Sequence, residues 1–345
     1  MSYKLIPPSK FSAVTNLMRD FFLKKGFVEV HPQSALSILA ACEDPETIAT
    51  YNYDNQIWPL PQTGQMWLEH VLLQNKDIEG CFCVSTSYRN EPNPVPGRHE
   101  KIFPMFEFES KGDFNDLIKL ETELLQHLGF PFLTKVDELP NNASKTDYSG
   151  RGQSCSSLIS NDKNDDIVID SNSSTRWRSS TWNNATYIPS EGFFNINYPG
   201  DDYLNIAKKY GVKELENRHE QNLCHEYGPV YFIKNFPLYT SPFWNMKYDK
   251  KTEISKKVDV ILDGMETIGS AERSCSPDEM RELYHTISNG KYADLLHDKF
   301  SEKRVLDELE QFLEYDFFPR FGGGIGITRM ISAMEKNNLL KDVSA

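Results

Sequence analysis

No apolar run in this 345-residue chain is long enough to cross a bilayer. The opening MSYKLIPPSKF lacks the long apolar stretch of a secretory signal. A cytoplasmic location is therefore expected. The six cysteines are scattered at positions 42, 81, 83, 155, 224 and 275. Cys81 and Cys83 are separated by one residue, which is neither a zinc-ligand nor a redox spacing, so reduced thiols are expected throughout. His31, His70, His127, His219, His225, His285 and His297 show no metal-ligand spacing either. Positive charge is also short: 37 Lys and Arg stand against 50 Asp and Glu, a net charge of −13. Nucleic-acid affinity comes largely from Lys and Arg neutralising phosphates. So acidic a chain is a poor fit to a long RNA surface unless it carries a local basic patch.

An apolar fraction of 39% supplies enough material for a sizeable core. Phe11, Val14, Leu17, Met18, Phe21 and Phe22 recur at helical spacing, stopped by Gly26. Further helices are expected over Asp113 to Leu128, Asp201 to Tyr210 and Val305 to Phe317. Another begins at the capping box of Ser276 with Pro277 at its first position. Strands are expected over Phe27 to Val30, Gly80 to Ser87, Phe103 to Glu109, Val230 to Ile233, Val258 to Leu262 and Gly322 to Ile327. Strands in runs with flanking helices predict an α+β fold with a mostly antiparallel sheet. We read residues 1–345 as a single catalytic domain with a polar insertion at 141–199. The insertion is rich in Ser, Asn, Asp and Gly and lacks periodicity. It reads as a surface insertion, or as a lid or partner patch built on Trp177, Trp182 and the Arg176/Arg178 pair.

Asp263-Gly264 within VDVILDGMETI is a two-residue hairpin signal. With those two as the turn, Leu262 faces Met265 and Ile261 faces Glu266. Asp259 shares a face with Ile261, because side chains alternate with period two. Asp259 and Glu266 then become diagonal neighbours about 7–8 Å apart at the backbone. Two carboxylates at that reach can clasp one Mg²⁺ and leave its other positions to phosphates and water.

Three short stretches belong together by their order: GFVEVHP (Gly26 to Pro32), YRNE…GRHEKIF (Tyr88 to Phe103) and GGGIGITR (Gly322 to Arg329). They resemble motifs 1, 2 and 3 of the class II aminoacyl-tRNA synthetases, in the aspartyl/asparaginyl branch. The resemblance runs over roughly Ser9 to Lys135 and Tyr203 to Glu335.

That resemblance implies roles for particular residues. Arg89 would bridge the α-phosphate of ATP and the reacting carboxylate. Glu91 would lie near adenine and the substrate ammonium. Arg98 and His99 would reach the γ-phosphate, and Phe103 would stack on adenine. Lys101-Ile102 stand where the family has Pro-Glu, so adenine would lean more on Glu91 and the backbone. Gly324 would leave room for the nucleotide, and Arg329 would cover the other adenine face and reach a phosphate. Asp259 and Glu266 would be the metal acids. Arg273, in GMETIGSAER, would contact the substrate side chain, and Gln65, in TGQMWLE, its α-amino side. Leu68 stands where aspartyl enzymes place a lysine, which weakens the aspartate reading. The cofactors implied are ATP and Mg²⁺.

The chemistry agrees with that residue set. A carboxylate attacking the α-phosphate is already ionised and needs no base. The obstacle is repulsion and transition-state charge, which arginines and Mg²⁺ relieve. The resemblance also implies a homodimer through motif 1, with Pro32 in it. No β-barrel pattern of an anticodon-binding domain is seen in the chain. The reading that follows is ATP- and Mg²⁺-dependent activation of an aspartate- or asparagine-like amino acid, with transfer to an amine without tRNA, as in asparagine-synthetase-like paralogues. The alternatives are a free-standing aspartyl- or asparaginyl-type aminoacyl-tRNA synthetase and a non-catalytic amino-acid or nucleotide sensor.

Overall fold

The computed structural model describes residues 5–39, 45–94, 100–133, 177–178, 198–240 and 243–340. Its strands, numbered in chain order, are β1 (Val28–Glu29), β2 (Thr50–Tyr53), β3 (Gln56–Pro59), β4 (Gly80–Tyr88), β5 (Ile102–Lys111), β6 (Phe132–Leu133), β7 (Trp177–Arg178), β8 (Gly200–Asp202), β9 (Val230–Pro237), β10 (Tyr248–Asp249), β11 (Ile254–Leu262), β12 (Met265–Glu272) and β13 (Arg320–Gly326). The α-helices are α1 (Pro8–Lys24), α2 (Gln65–Gln74), α3 (Phe114–His127), α4 (Tyr203–Tyr210), α5 (Asn217–Tyr227), α6 (Pro277–Thr286), α7 (Lys291–Phe300), α8 (Glu302–Leu313) and α9 (Ile327–Lys336).

The main sheet runs β1-β4-β5-β13-β12-β11-β9-β8, with β10 paired to β11. Only the β1–β4 and β8–β9 pairs are parallel. The expected α+β fold with a mostly antiparallel sheet is therefore found. Period-two alternation gives the two faces opposite characters. On one, Phe82, Phe106, Phe108, Phe321, Val258 and Val260 pack against Val14, Met18 and Phe22 of α1, Leu117 and Leu124 of α3, and Met330 and Met334 of α9. Phe22 alone touches five aromatic rings, so Phe22→Ala would cost about 3–5 kcal/mol. The opposite face carries Glu107 and Glu109 of β5, the glycines of β13, and Asp259 of β11. Helix α2 closes over it through Leu68 and Leu72, packed on Cys81 and Cys83.

Local signals explain the helix ends. Asp113 caps α3 with a capping box closed by Asp116, and Ser276 accepts from the Glu279 amide at the start of α6. Gly211 ends α4 in the left-handed conformation. Some boundaries differ from expectation. β1 is only two residues long, because it lies at the sheet edge and pairs solely with β4. β11 starts at Ile254, four residues early, because its first residues pair with β9 and β10. α8 spans Glu302–Leu313 and stops before Phe317, which packs on the α6–α8 cluster from outside the helix.

Most of the 141–199 segment, including Arg176 and Trp182, lies outside the described residues. Its last residues belong to the core: Tyr198 is buried, stacks on Phe232 and donates to the Phe130 carbonyl at 3.1 Å. Cys81, Cys83 and Cys275 are free thiols. Cys224 is disulfide-bonded, which corrects the expectation of thiols throughout.

Candidate active site

β13 makes the floor, and its glycines are there for space. A side chain at Gly322 would run into the Glu109 carboxylate, which lies flat across it. At Gly324 an added Cβ would sit 2.7 Å from Met105 and 3.1 Å from Gln65 Nε2. Close approach of this kind is what glycine permits in a strand. Gly324 pairs with Glu107 on one side and with Gly269 on the other, so the glycine floor extends from β5 to β12.

Two of the expected residues meet at one end. Arg273 is 1% exposed and donates to Gln65 Oε1 at 2.7 Å and to both Glu109 oxygens. Its Nε also lies 3.6 Å from Glu69 Oε1. Glu69 in turn holds Arg320 through Nε at 3.1 Å and Nη2 at 2.8 Å, and accepts from Asn245 at 2.6 Å. Burial raises the Glu109 carboxyl to about 7; Arg273 opposes the shift and Glu69 adds to it.

Arg89 follows β4 and is half-buried. Its guanidinium lies 5.4 Å over the Phe103 ring, a cation–π contact, and its buried Nε has no hydrogen-bond partner among the described residues. It also acts on Glu107, which burial pushes up while Ser85, Thr63, the Gly64 amide and Arg89 pull it down. Glu91 is half-buried in the loop beyond. Arg98 and His99 lie outside the described residues.

The β11–β12 hairpin has the expected register. Ile261 faces Glu266 and Leu262 faces Met265, with Asp263 and Gly264 both at positive φ. A bulge after Val260 then sets Asp259 opposite Gly269. Glu266 Oε1 and Asp259 Oδ1 both look onto the space above Gly269, at 3.0 Å and 3.6 Å from where its Cβ would be. Asp259 Oδ2 accepts from Lys257 at 2.9 Å, while the buried Oδ1 has no hydrogen-bond partner among the described residues. Burial pushes Asp259 up to about 7; Lys257 opposes this and Glu266 adds to it. An orphaned carboxylate oxygen aimed at a second carboxylate fits a divalent cation bound with further oxygen ligands from phosphate and water. Among the described residues no cluster of three or more His, Cys, Asp or Glu forms a complete metal cage. Arg329, on α9, reaches this corner and donates to the Glu266 carbonyl at 2.7 Å.

The family model for class II tRNA synthetases (D, K and N) matches residues 9–345. The chain belongs to that family. This class II synthetase chain is 22% identical to the aspartate–tRNA(Asp) ligase of Pyrobaculum aerophilum, over 94% of the chain and 62% of that protein. It is 22% identical to the lysine–tRNA ligase of Helicobacter hepaticus, over 96% of the chain and 59% of that protein. Among solved structures it resembles asparaginyl-tRNA synthetase from Pyrococcus horikoshii complexed with asparaginyl-adenylate. That match has a TM-score of 0.62 at 18% identity and covers 97% of the chain and 66% of the other. The Entamoeba histolytica asparaginyl-tRNA synthetase, also with asparaginyl-adenylate, gives a TM-score of 0.60 at 17% identity, with 97% and 63% covered. The class II synthetase chain thus spans about three fifths of the curated relatives' length.

Sequence reasoning missed Glu69, Glu107, Glu109 and Arg320, which build the buried wall of this candidate site. A signal was present: Phe106-Glu107-Phe108-Glu109 puts acids at every second position of an apolar strand. Buried acids need partners, so such a pattern marks a polar site behind the sheet. Arg320 carried no comparable signal.

Proposed function

We propose that this class II synthetase chain is an ATP-dependent ligase that activates the carboxylate of an aspartate- or asparagine-like amino acid. A carboxylate oxygen attacks the α-phosphorus, the bond to the bridging oxygen of the β-phosphate breaks, and pyrophosphate leaves. The carrying observation is the row along one glycine floor of Arg89, which acts on Glu107 opposite Gly324, the Asp259–Glu266 pair over Gly269, and Arg329 at the Glu266 carbonyl. Arg89 holds the α-phosphate and the attacking carboxylate together, its Nε having no hydrogen-bond partner among the described residues. Phe103 and Arg329 take the adenine faces, Gly324 leaves room beneath it, and Glu91, Arg98 and His99 contact the remaining nucleotide groups. Gln65 and Arg273 hold the amino acid. Asp259 and Glu266 hold Mg²⁺, which when bound neutralises phosphate charge.

The net charge of −13 favours a small amine over a tRNA as acceptor of the adenylate. The tRNA-ligase relatives favour the second reading, a free-standing aminoacyl-tRNA synthetase. The site's two phosphate arginines and two acids speak for catalysis over a sensing role. The test is ATP–pyrophosphate exchange across the twenty amino acids, followed by ammonia or total tRNA with each active one. Exchange with none, in folded protein that binds ATP, overturns the ligase. Aminoacyl-tRNA without amide product overturns the tRNA-independent step.

A further inference from the structure

The geometry points to a second binding pocket, one that takes a small organic phosphate and shares no residue with the glycine floor. It lies between the β2–β3 hairpin and the turn that joins α7 to α8, and has a volume of about 480 Å³.

Three cations and one acid line it, in a chain whose net charge is −13: Lys299 of α7, and Lys303, Arg304 and Asp307 of α8. Ser301, at φ 75°, turns the chain between the two helices, so that Lys299 shares a wall with Lys303 and Arg304. Lys303 pairs with Asp307. Lys299 has no ion-pair partner among the described residues. Arg304 is held by neutral groups: Nη1 donates to Gln56 Oε1 and Nη2 to the Ile57 carbonyl, both at 2.6 Å, and the guanidinium lies 4.3 Å over the Trp58 ring. Those contacts fix its position without neutralising its charge. The other acids of this stretch face elsewhere. Glu308, on which Arg304 acts, accepts from the Ser37 and Ile38 amides. Asp298 and Glu302 are exposed and lie outside the lining. The start of α8 adds to the same field, because Ser301 at its N-cap makes no side-chain hydrogen bond to the first turn.

The lining therefore carries two positive charges in excess, on Lys299 and Arg304. A phosphate monoester brings about −1.5 to −2 charges at pH 7 and three acceptor oxygens. It answers both cations at once, where a carboxylate answers one. The pocket is larger than a phosphate group needs and falls within the roughly 300–1,000 Å³ of small-molecule sites. Ile57, 47% exposed, and Phe300 give the remaining space an apolar wall for the organic part of the ligand.

The experiment is calorimetric titration of phenyl phosphate into the protein saturated with α,β-methylene-ATP and Mg²⁺, at constant ionic strength. One phenyl phosphate should bind per chain with a Kd below about 1 mM. Lys299→Glu, at a partly exposed position, should weaken that binding at least about tenfold at an unchanged melting temperature, the scale of a lost charge-assisted hydrogen bond. Arg304→Gln should weaken it as much; if loss of the Trp58 contact unfolds that variant, Lys299→Glu decides alone. Arg329→Ala, in the proposed nucleotide site, should leave it unchanged. No binding to the folded protein at about 10 mM phenyl phosphate overturns the inference. So does binding that survives Lys299→Glu, or that Arg329→Ala abolishes, since either puts the phosphate elsewhere. Benzoate binding as tightly as phenyl phosphate overturns the choice of phosphate. A short single-stranded RNA that binds through Lys299 where phenyl phosphate does not bind makes the patch a polynucleotide surface and overturns the small ligand.

Discussion

Asp259 and Glu266 point their carboxylates into the same space, the one left by the absent side chain of Gly269. The hairpin turn and the bulge after Val260 create that meeting. Gly269→Ala puts a methyl group 3.0 Å from Glu266 Oε1 with no backbone strain to confuse the result. Titrating Mg²⁺ in the exchange assay should show the half-saturating concentration raised about tenfold, at a little-changed melting temperature. An unchanged Mg²⁺ requirement would remove the acid-pair assignment.

Arg89→Ala and Arg329→Ala should each slow adenylation by about a hundredfold or more, the scale of losing one preorganised charge donor. Lysine at position 89 keeps the charge but loses the planar fork over Phe103, and should recover only part of the rate. Single-turnover measurement of adenylate formation checks both. Wild-type rates in the alanine variants would dismantle the motif assignment.

Glu121 lies behind the sheet, fully buried, with Ser270 donating to its Oε1 at 2.5 Å. Burial, opposed by Ser270 and reinforced by Asp259, raises its carboxyl to about 8. The folded chain therefore keeps a proton that the unfolded chain loses near the ordinary carboxylate pKa of about 4.3. Between those values the folded state binds more protons, so stability falls as pH rises toward 8. Glu121→Gln should flatten that fall. Denaturant midpoints at pH 5, 7 and 9 test it, and parallel curves for the two proteins would refute it.

The segment around Phe11 to Pro32 should lie in a homodimer interface. Leu23 and Val28, 54% and 44% exposed in the single chain, give it apolar surface to cover. Sedimentation should report a dimer at micromolar concentration, and Val28→Glu should weaken it at least tenfold. A fully active monomer would contradict the assignment.

Local pattern in the chain determined a good deal. The α1 stripe, the Asp113 and Ser276 caps, the Gly211 stop and the Asp263-Gly264 hairpin all act within a few residues, so each was legible from neighbours alone. The pairing of Ile261 with Glu266 followed from turn geometry and strand alternation. Helix α5 was not legible, because its polar sequence buries only His219, Leu223 and Cys224 and leaves too thin a stripe. α7 likewise escaped notice, beginning beside the left-handed Ser288 and Asn289. The bulge that sets Asp259 opposite Gly269 depends on pairing across the hairpin and with β9. The Arg273–Glu109–Gln65 and Arg320–Glu69 contacts join residues separated by 164 to 251 positions. No short-range periodicity encodes such pairings. Only the closed sheet, with α2 laid across it, removes water from those groups and makes each charge depend on its partner.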